Sequence, residues 1–284
     1  MIPSPTVRRY TPNSAIANPG LLFSDMGNNL RLSLPLARAL FLRDLKAQFR
    51  QSALGYAWLF FPPIATTAVW FFLNSSGVVE VADTGIPYPA FVMIGTLLWQ
   101  TFLDSLNRPI QALSGARGIM TKLNIPREAP ILAGVAMTSV TAGIRLLLLI
   151  PVFIFLDLSL SWQFLLFPLA YVLIVIAGAS LGVLLTPIGM LYTDIGRGIQ
   201  MLGQFLMYTA PVVYPMAGTG LLGTVNRWNP VTPLLQFGRS TLSGGPLQAL
   251  PETFLVSALC LIVLFFAWTI LQIVLPRIIE RMGM

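Results

Sequence analysis

Histidine is absent from all 284 residues, and cysteine occurs once, at Cys260. Without histidine the chain lacks the commonest general base and the commonest metal ligand. One cysteine excludes an intrachain disulfide and a cysteine-based metal cluster, and Cys260, inside an apolar run, reads as a small packing residue. Charge is scarce too: 10% of residues are Asp, Glu, Lys or Arg, where a soluble domain carries about 25%. No Gly-x-x-x-x-Gly-Lys-Ser/Thr stretch exists. The two lysines, Lys46 and Lys122, neither follow glycine nor precede a hydroxyl residue, so the chain is not expected to bind or split a nucleotide. The start, "MIPSPTVRRYTPNSAIANPG", lacks the apolar core of about 7 to 15 residues that a secretory signal needs. Rich in Pro, Ser and Asn, it reads as part of a flexible cytoplasmic extension over 1–33.

Hydrophobic residues make up 56% of the chain, and the mean hydropathy is +0.78; this is the composition of an integral membrane protein. The net charge of +7 raises nucleic-acid binding, but the basic residues sit between apolar runs and not in one patch. That is the pattern of topology signals, and no nucleic-acid partner is expected.

A helix crossing the hydrocarbon core needs about 20 mostly apolar residues. Six stretches qualify: between Arg50 and Glu80; Ile86 to Leu106; Ala129 to Leu156, interrupted only by Arg145; within Leu158 to Thr193; from Gly198 to about Pro211 and Pro215; and Thr253 to Pro276. The fold expected is an all-α polytopic membrane protein with its six spans in 56–276 and a tail over 277–284. Fourteen of the 17 basic residues fall on one side of this arrangement. They are Arg8, Arg9, Arg31, Arg38, Arg43, Lys46, Arg50, Arg108, Arg117, Lys122, Arg127, Arg197, Arg277 and Arg281. The excess places both termini in the cytoplasm. Pro211 to Pro251 is too broken by Gly and Pro to span, yet very apolar. It is either an ordinary outer loop or short re-entrant helices, with Leu234, Leu235 and Leu242 on one side of "NPVTPLLQFGRSTLS".

Before the first span, "LFLRDLKAQFRQSALGYAW" puts Leu42, Leu45 and Phe49 on one stripe and Arg43, Lys46 and Arg50 on the next. An amphipathic helix over 34–55 follows, its basic edge toward lipid phosphates; it is either an anchor alone or also a brace for a cytoplasmic partner. "SGARGIMTKLNIPREAP" is longer than a tight connection needs and contains a candidate short helix at Ile119, Met120 and Leu123 with Lys122. Such a segment suits insertion into a partner's groove. A second connection, "YTDIGRGIQ", places Asp194 and Arg197 where they could pair at a helix start.

Taken in order, these stretches resemble the transmembrane subunit of type-2 ABC exporters, in the branch that exports O-antigen, capsule and teichoic acid polymers. "SALGYAWLFFPP" looks like the family's Leu-Gly-x-x-Trp approach to span 1, and "KLNIPREAPILA" its Lys-x-x-x-Pro-Arg-Glu-x-x-Pro pattern. "YTDIGRGIQ" followed by "APVVYP" resembles Tyr-Arg-Asp-Ile and Ser-Pro-Ile-x-Tyr-Pro, with Thr193 where Arg is usual and Ala210 where Ser is usual. "NPVTPLLQFGRSTLSGG" resembles the Asn-Pro-x-x-Pro outer element. The resemblance implies a homodimer in the inner membrane with two cytoplasmic ATPase subunits that bind ATP and magnesium, no cofactor on this chain, and a lipid-linked glycan as cargo. It implies an interface helix carrying Arg43, Lys46, Phe49 and Arg50, and coupling contacts at Gly115, Arg117, Met120, Lys122, Arg127, Glu128, Asp194 and Arg197.

The rivals are an ion-coupled transporter, a polytopic transferase, and an exporter of the same type carrying teichoic acid, lipid or drug. Proton coupling is disfavoured because Asp104, Asp157, Asp194, Glu252 and Glu280 all read as lying at span ends or beyond. Arg145 is the exception to an apolar span, at a depth where an arginine costs about 2.5 to 3.5 kcal/mol. It either meets an anionic part of the cargo, meets a polar group across the dimer, or is satisfied by neighbouring carbonyls. Trp70, Phe91, Trp99, Phe205 and Tyr208 are candidates for the pathway wall, against ordinary packing for each.

Overall fold

The computed structural model describes residues 19–282 except 49, 51, 121–124, 127, 160 and 217, with side chains from 30 to 275 and at 277 and 278. Among the described residues there is no strand. Ten α-helices follow one another: α1 (Pro19–Gln48), α2 (Phe61–Ser75), α3 (Tyr88–Met120), α4 (Glu128–Leu146), α5 (Leu149–Phe155), α6 (Phe167–Leu191), α7 (Thr193–Leu206), α8 (Gly220–Trp228), α9 (Val231–Ser243) and α10 (Leu250–Met282). A 3-10 turn, Gly55–Leu59, leads into α2, where Pro62 and Pro63 occupy the first turn. Their missing N–H groups cost nothing there, so they start the helix and do not kink it.

Three helical stretches are long and apolar enough to cross a membrane: Glu128–Phe155, Trp162–Leu191 and Leu250–Leu275. At 15 and 14 residues, α2 and α7 are shorter than the span length expected for them. The helix that holds the second expected span does not end at Leu106: α3 runs unbroken through Pro109 to Met120. Gln, Asn, Ser and Arg end an apolar run without breaking a helix, so span and following segment form one rod. The third is bent at a turn over Leu147 and Leu148.

At the centre α3 lies against α6. Gly178 and Gly182 face the carbonyls of Phe102 and Leu106, so close that a Cβ at either position would fall inside van der Waals contact. Without a hydrophobic force between helices in lipid, such small residues let backbones approach. Around this pair, α9 is enclosed by α3, α6 and α10, with Leu234, Leu235 and Leu242 all buried. Asn229 opens α9 by accepting the Val231 N–H at 3.0 Å, and Gly244, at φ 72°, ends it. Arg239 of α9 donates to the carbonyls of Pro211 and Val212 at 2.8 and 3.0 Å, pinning the connection after α7 to the bundle.

α1 begins at Pro19, within the stretch 1–33 expected to be a flexible extension, and closes at Gln48. Ser33, Ala37 and Leu40 are its buried stripe, set against Ala129 and Ala133 of α4. Leu42 is exposed and Leu45 half-buried, so the predicted stripe is not the one the chain covers; small residues on α4 admit the Ala37 face. Glu128 accepts hydrogen bonds from Ser33 of α1 and Gln272 of α10. The described N-terminal helix, the C-terminal half of α10, and the α3–α4 connection therefore share one end. The start of α3, where Tyr88 donates to the Val213 carbonyl at 2.8 Å, lies at the other.

Candidate functional site: a polar cavity between helices

Polar residues recur along one side of α3: Gln100, Asp104, Asn107, Arg108 and Gln111, at helical spacing. On α7, Gln200 and Gln204 do the same one turn apart. The fold turns these two stripes toward each other, with Phe61, Pro62, Ala65 and Thr66 of α2 as a third wall. Between them is a cavity of about 550 Å³, which Arg145, Met207 and Tyr208 also line.

Arg145 donates to the Asp104 carboxylate at 2.5 Å. Its answer to a mid-helix charge is thus an acid of this chain, not carbonyls alone. Asp104 does not sit at the end of a helix: α3 continues sixteen residues beyond it, and its carboxylate meets Arg145 of α4. Four buried polar atoms on this wall have no hydrogen-bond partner: Thr96 Oγ1, Gln100 Oε1, Asn107 Oδ1 and Arg145 Nε. Buried polar groups are nearly always paired, so four orphans among the side chains of one cavity wall are a concentration of unmet hydrogen bonds.

Of the predicted pathway residues the cavity gathers Trp99, Arg145 and Tyr208. Trp99 donates its indole N–H to the Gly203 carbonyl at 3.0 Å, tying α3 to α7, and its ring lies 5.4 Å from that of Phe102. Trp70 stands behind Tyr208, their rings 6.0 Å apart. The other two are elsewhere. Phe91 is buried beneath the Arg239 guanidinium, 3.6 Å from its centroid, and Phe205 is 62% exposed on the outside of α7. The amide stripe was missed in the sequence because α3 was divided into a span and a loop at Leu106, which split its period.

The predicted coupling residues divide as well. Gly115 is exposed, with open space about it, whereas Met120 is buried near Ile131 and Leu275. Arg117 donates to the carbonyl of Met190, in the last turn of α6, where backbone acceptors lack helical partners. That bond joins the end of α3 to the turn that begins α7. Asp194 and Arg197 are both exposed, and no ion pair joins them. Asp194 instead occupies the first turn of α7, where the helix dipole favours an acid. Glu128 is only 2% exposed, and its carboxylate joins α4 to α1 and α10. On α1, Arg43 pairs with neighbouring Asp44 at 2.7 Å and Lys46 is exposed, as is Arg50 just beyond the helix. Phe49, Lys122 and Arg127 lie outside the described residues.

No protein-family model matches the chain. It is similar to the O-antigen export system permease protein RfbA of Myxococcus xanthus, 26% identical over 180 residues, which are 62% of this chain and 66% of that relative. An O-antigen export permease RfbA of Klebsiella pneumoniae is 26% identical over 61% of this chain and 66% of its own length. The chain thus spans about two thirds of the length of these two relatives. The polysialic acid transport protein KpsM of Escherichia coli is 21% identical over 219 residues, 73% of this chain and 81% of that protein. With the apolar helices, these similarities support a multi-pass membrane protein and a type-2 ABC permease.

Proposed function

We propose that this chain is the membrane subunit of an ATP-driven exporter that moves a lipid-linked, O-antigen-like polysaccharide across the cytoplasmic membrane. Two copies would form the route, and two cytoplasmic ATPase subunits would supply the energy; the chain itself would perform no chemistry. The names of its relatives, permeases for O-antigen and a transport protein for polysialic acid, support the glycan.

The observation that carries the reading is the polar cavity. A polymer of sugars presents a hydroxyl every few ångströms, and a pathway for it needs many replaceable hydrogen-bond partners and few strong ones. Amide side chains have both donors and acceptors, and here Gln100, Asn107, Gln200 and Gln204 surround one opening together with Trp99 and Tyr208. Asp104 is the one acid on this wall. Because Arg145 balances its charge, it is not the lone carboxylate that an ion-coupled carrier uses.

On this reading six segments cross the membrane, α2 and α7 with help from their flanking turns, and α8 and α9 dip in from the outer side. ATP binding would act through Lys46 on α1 and Arg50 just after it, Gly115 on α3, and Asp194 and Arg197 on α7. The test is co-expression with the genes beside it, followed by purification. The expected outcome is a complex with an ATPase at equal stoichiometry that exports a labelled lipid-linked glycan from vesicles only with ATP. Transport by the chain alone under an ion gradient would overturn the proposal.

A further inference from the structure

At the end opposite the termini a second, smaller cavity of about 390 Å³ opens between the α2–α3 loop, α9 and the α9–α10 loop. Arg239 lies at its inner wall and is 8% exposed. Everything that compensates this guanidinium is neutral. One nitrogen donates to the Pro211 and Val212 carbonyls, the flat face covers the Phe91 ring, and Nε is buried without a partner. The ion pairs among the described residues are Arg43–Asp44 and Arg145–Asp104, so no described carboxylate pairs with Arg239. Gly95 keeps the slot open, since a Cβ there would collide with the guanidinium and with the Val212 carbonyl.

A buried arginine without a counter-ion is costly, and this one borders an opening lined by hydroxyls and amides. We infer that the cavity is an oxyanion site: a carboxylate or phosphate group binds against Arg239, with Gln236 and Ser243 as further hydrogen-bonding groups. Its one opposing charge is Asp83, exposed in the α2–α3 loop, where its carboxylate accepts the Gly85 N–H at 2.9 Å. Asp83 weakens the hold on an anion, as a site meant to release its ligand requires. The site depends on the export reading only for the source of the anion, which is then an acidic substituent of the polymer; the same chemistry would also accept a phosphate headgroup of the surrounding lipid.

Calorimetric titration of the full chain in lipid nanodiscs tests this, with glucuronic acid and inorganic phosphate as probes and glucose as the neutral control. Both anions bind and glucose does not; tighter glucuronate points to the polymer, tighter phosphate to a headgroup. Asp83→Asn keeps the acceptor for Gly85, removes the opposing charge and strengthens anion binding about threefold at low salt. Arg239→Gln abolishes it. No anion binding in either the parent or the Asp83→Asn chain overturns the site, as does binding that survives in a folded Arg239→Gln chain. Absent anion binding with ATP-dependent glycan export intact removes this site alone, whereas bound anions with no ATP-dependent export remove the export reading alone.

Discussion

The Arg145–Asp104 pair shows how one residue's problem is solved by another forty-one positions away. Arg145 is conspicuous in the sequence because it interrupts an apolar run; Asp104 is not, because it reads as the margin of one. Asp104→Asn should destabilise the purified chain by about 1–3 kcal/mol, since it leaves a partly buried guanidinium without its charge partner. The double variant Asp104→Asn, Arg145→Gln should recover part of that loss in thermal unfolding. Glu128 makes the complementary case. It stands in a motif associated with the cytoplasmic contact, yet its carboxylate joins α1, α4 and α10 inside the chain. Glu128→Ala is therefore expected to lower the stability of the isolated chain, with no ATPase present, by about 1–3 kcal/mol. A normal melting curve for the isolated chain, with loss only in the complex, would return Glu128 to the surface role.

Two helices connect the candidate cavity to the end where the termini lie. α3 carries the amide stripe and, farther along the same rod, Gly115 and Arg117; α7 begins at the exposed Asp194 and Arg197 and continues to Gln200 and Gln204. A helix of 14 residues is about 21 Å long, so a push at its first turn reaches the cavity wall without an intervening joint. The Arg117 bond to Met190 ties the end of α3 to the last turn of α6, just before α7 begins. Asp194→Lys, at an exposed position far from the cavity, should leave abundance and melting temperature unchanged while lowering export several-fold in vesicles. Unchanged export would remove this turn from the coupling contact. The α3 stripe was legible in principle, for its residues keep a helical period; it was lost because hydropathy marks where a lipid-facing run stops, not where a helix stops.

For the whole molecule, the arrangement of the ends is the most informative feature. Glu128 collects the N-terminal helix, α4 and α10, while Tyr88, Val213 and Arg239 mark the far end. Charge bias in the sequence predicts that the first end is cytoplasmic. In a Cys260→Ala background, a cysteine placed at Asp83 should react with a membrane-impermeant maleimide in intact cells, and one placed at Arg197 only after the membrane is opened. The reverse pattern would invert the topology and every contact argued from it.

Composition and run length were enough to establish an all-helical membrane protein, and four short motifs in order were enough to indicate its relatives. Both are local properties: a solvent preference or a pattern is written in consecutive residues and survives whatever the chain packs against. Which side each polar group faces was decided only by tertiary structure. Gly178 and Gly182 bring α3 against α6, and that approach turns Gln100, Asp104 and Asn107 toward α7 and Arg145. It is also why Phe91 became the cover of a buried arginine and Phe205 an outward-facing ring. Rotation about a helix axis costs nothing within the helix itself and is fixed by neighbours far away in sequence, so no reading of one segment at a time could have supplied it.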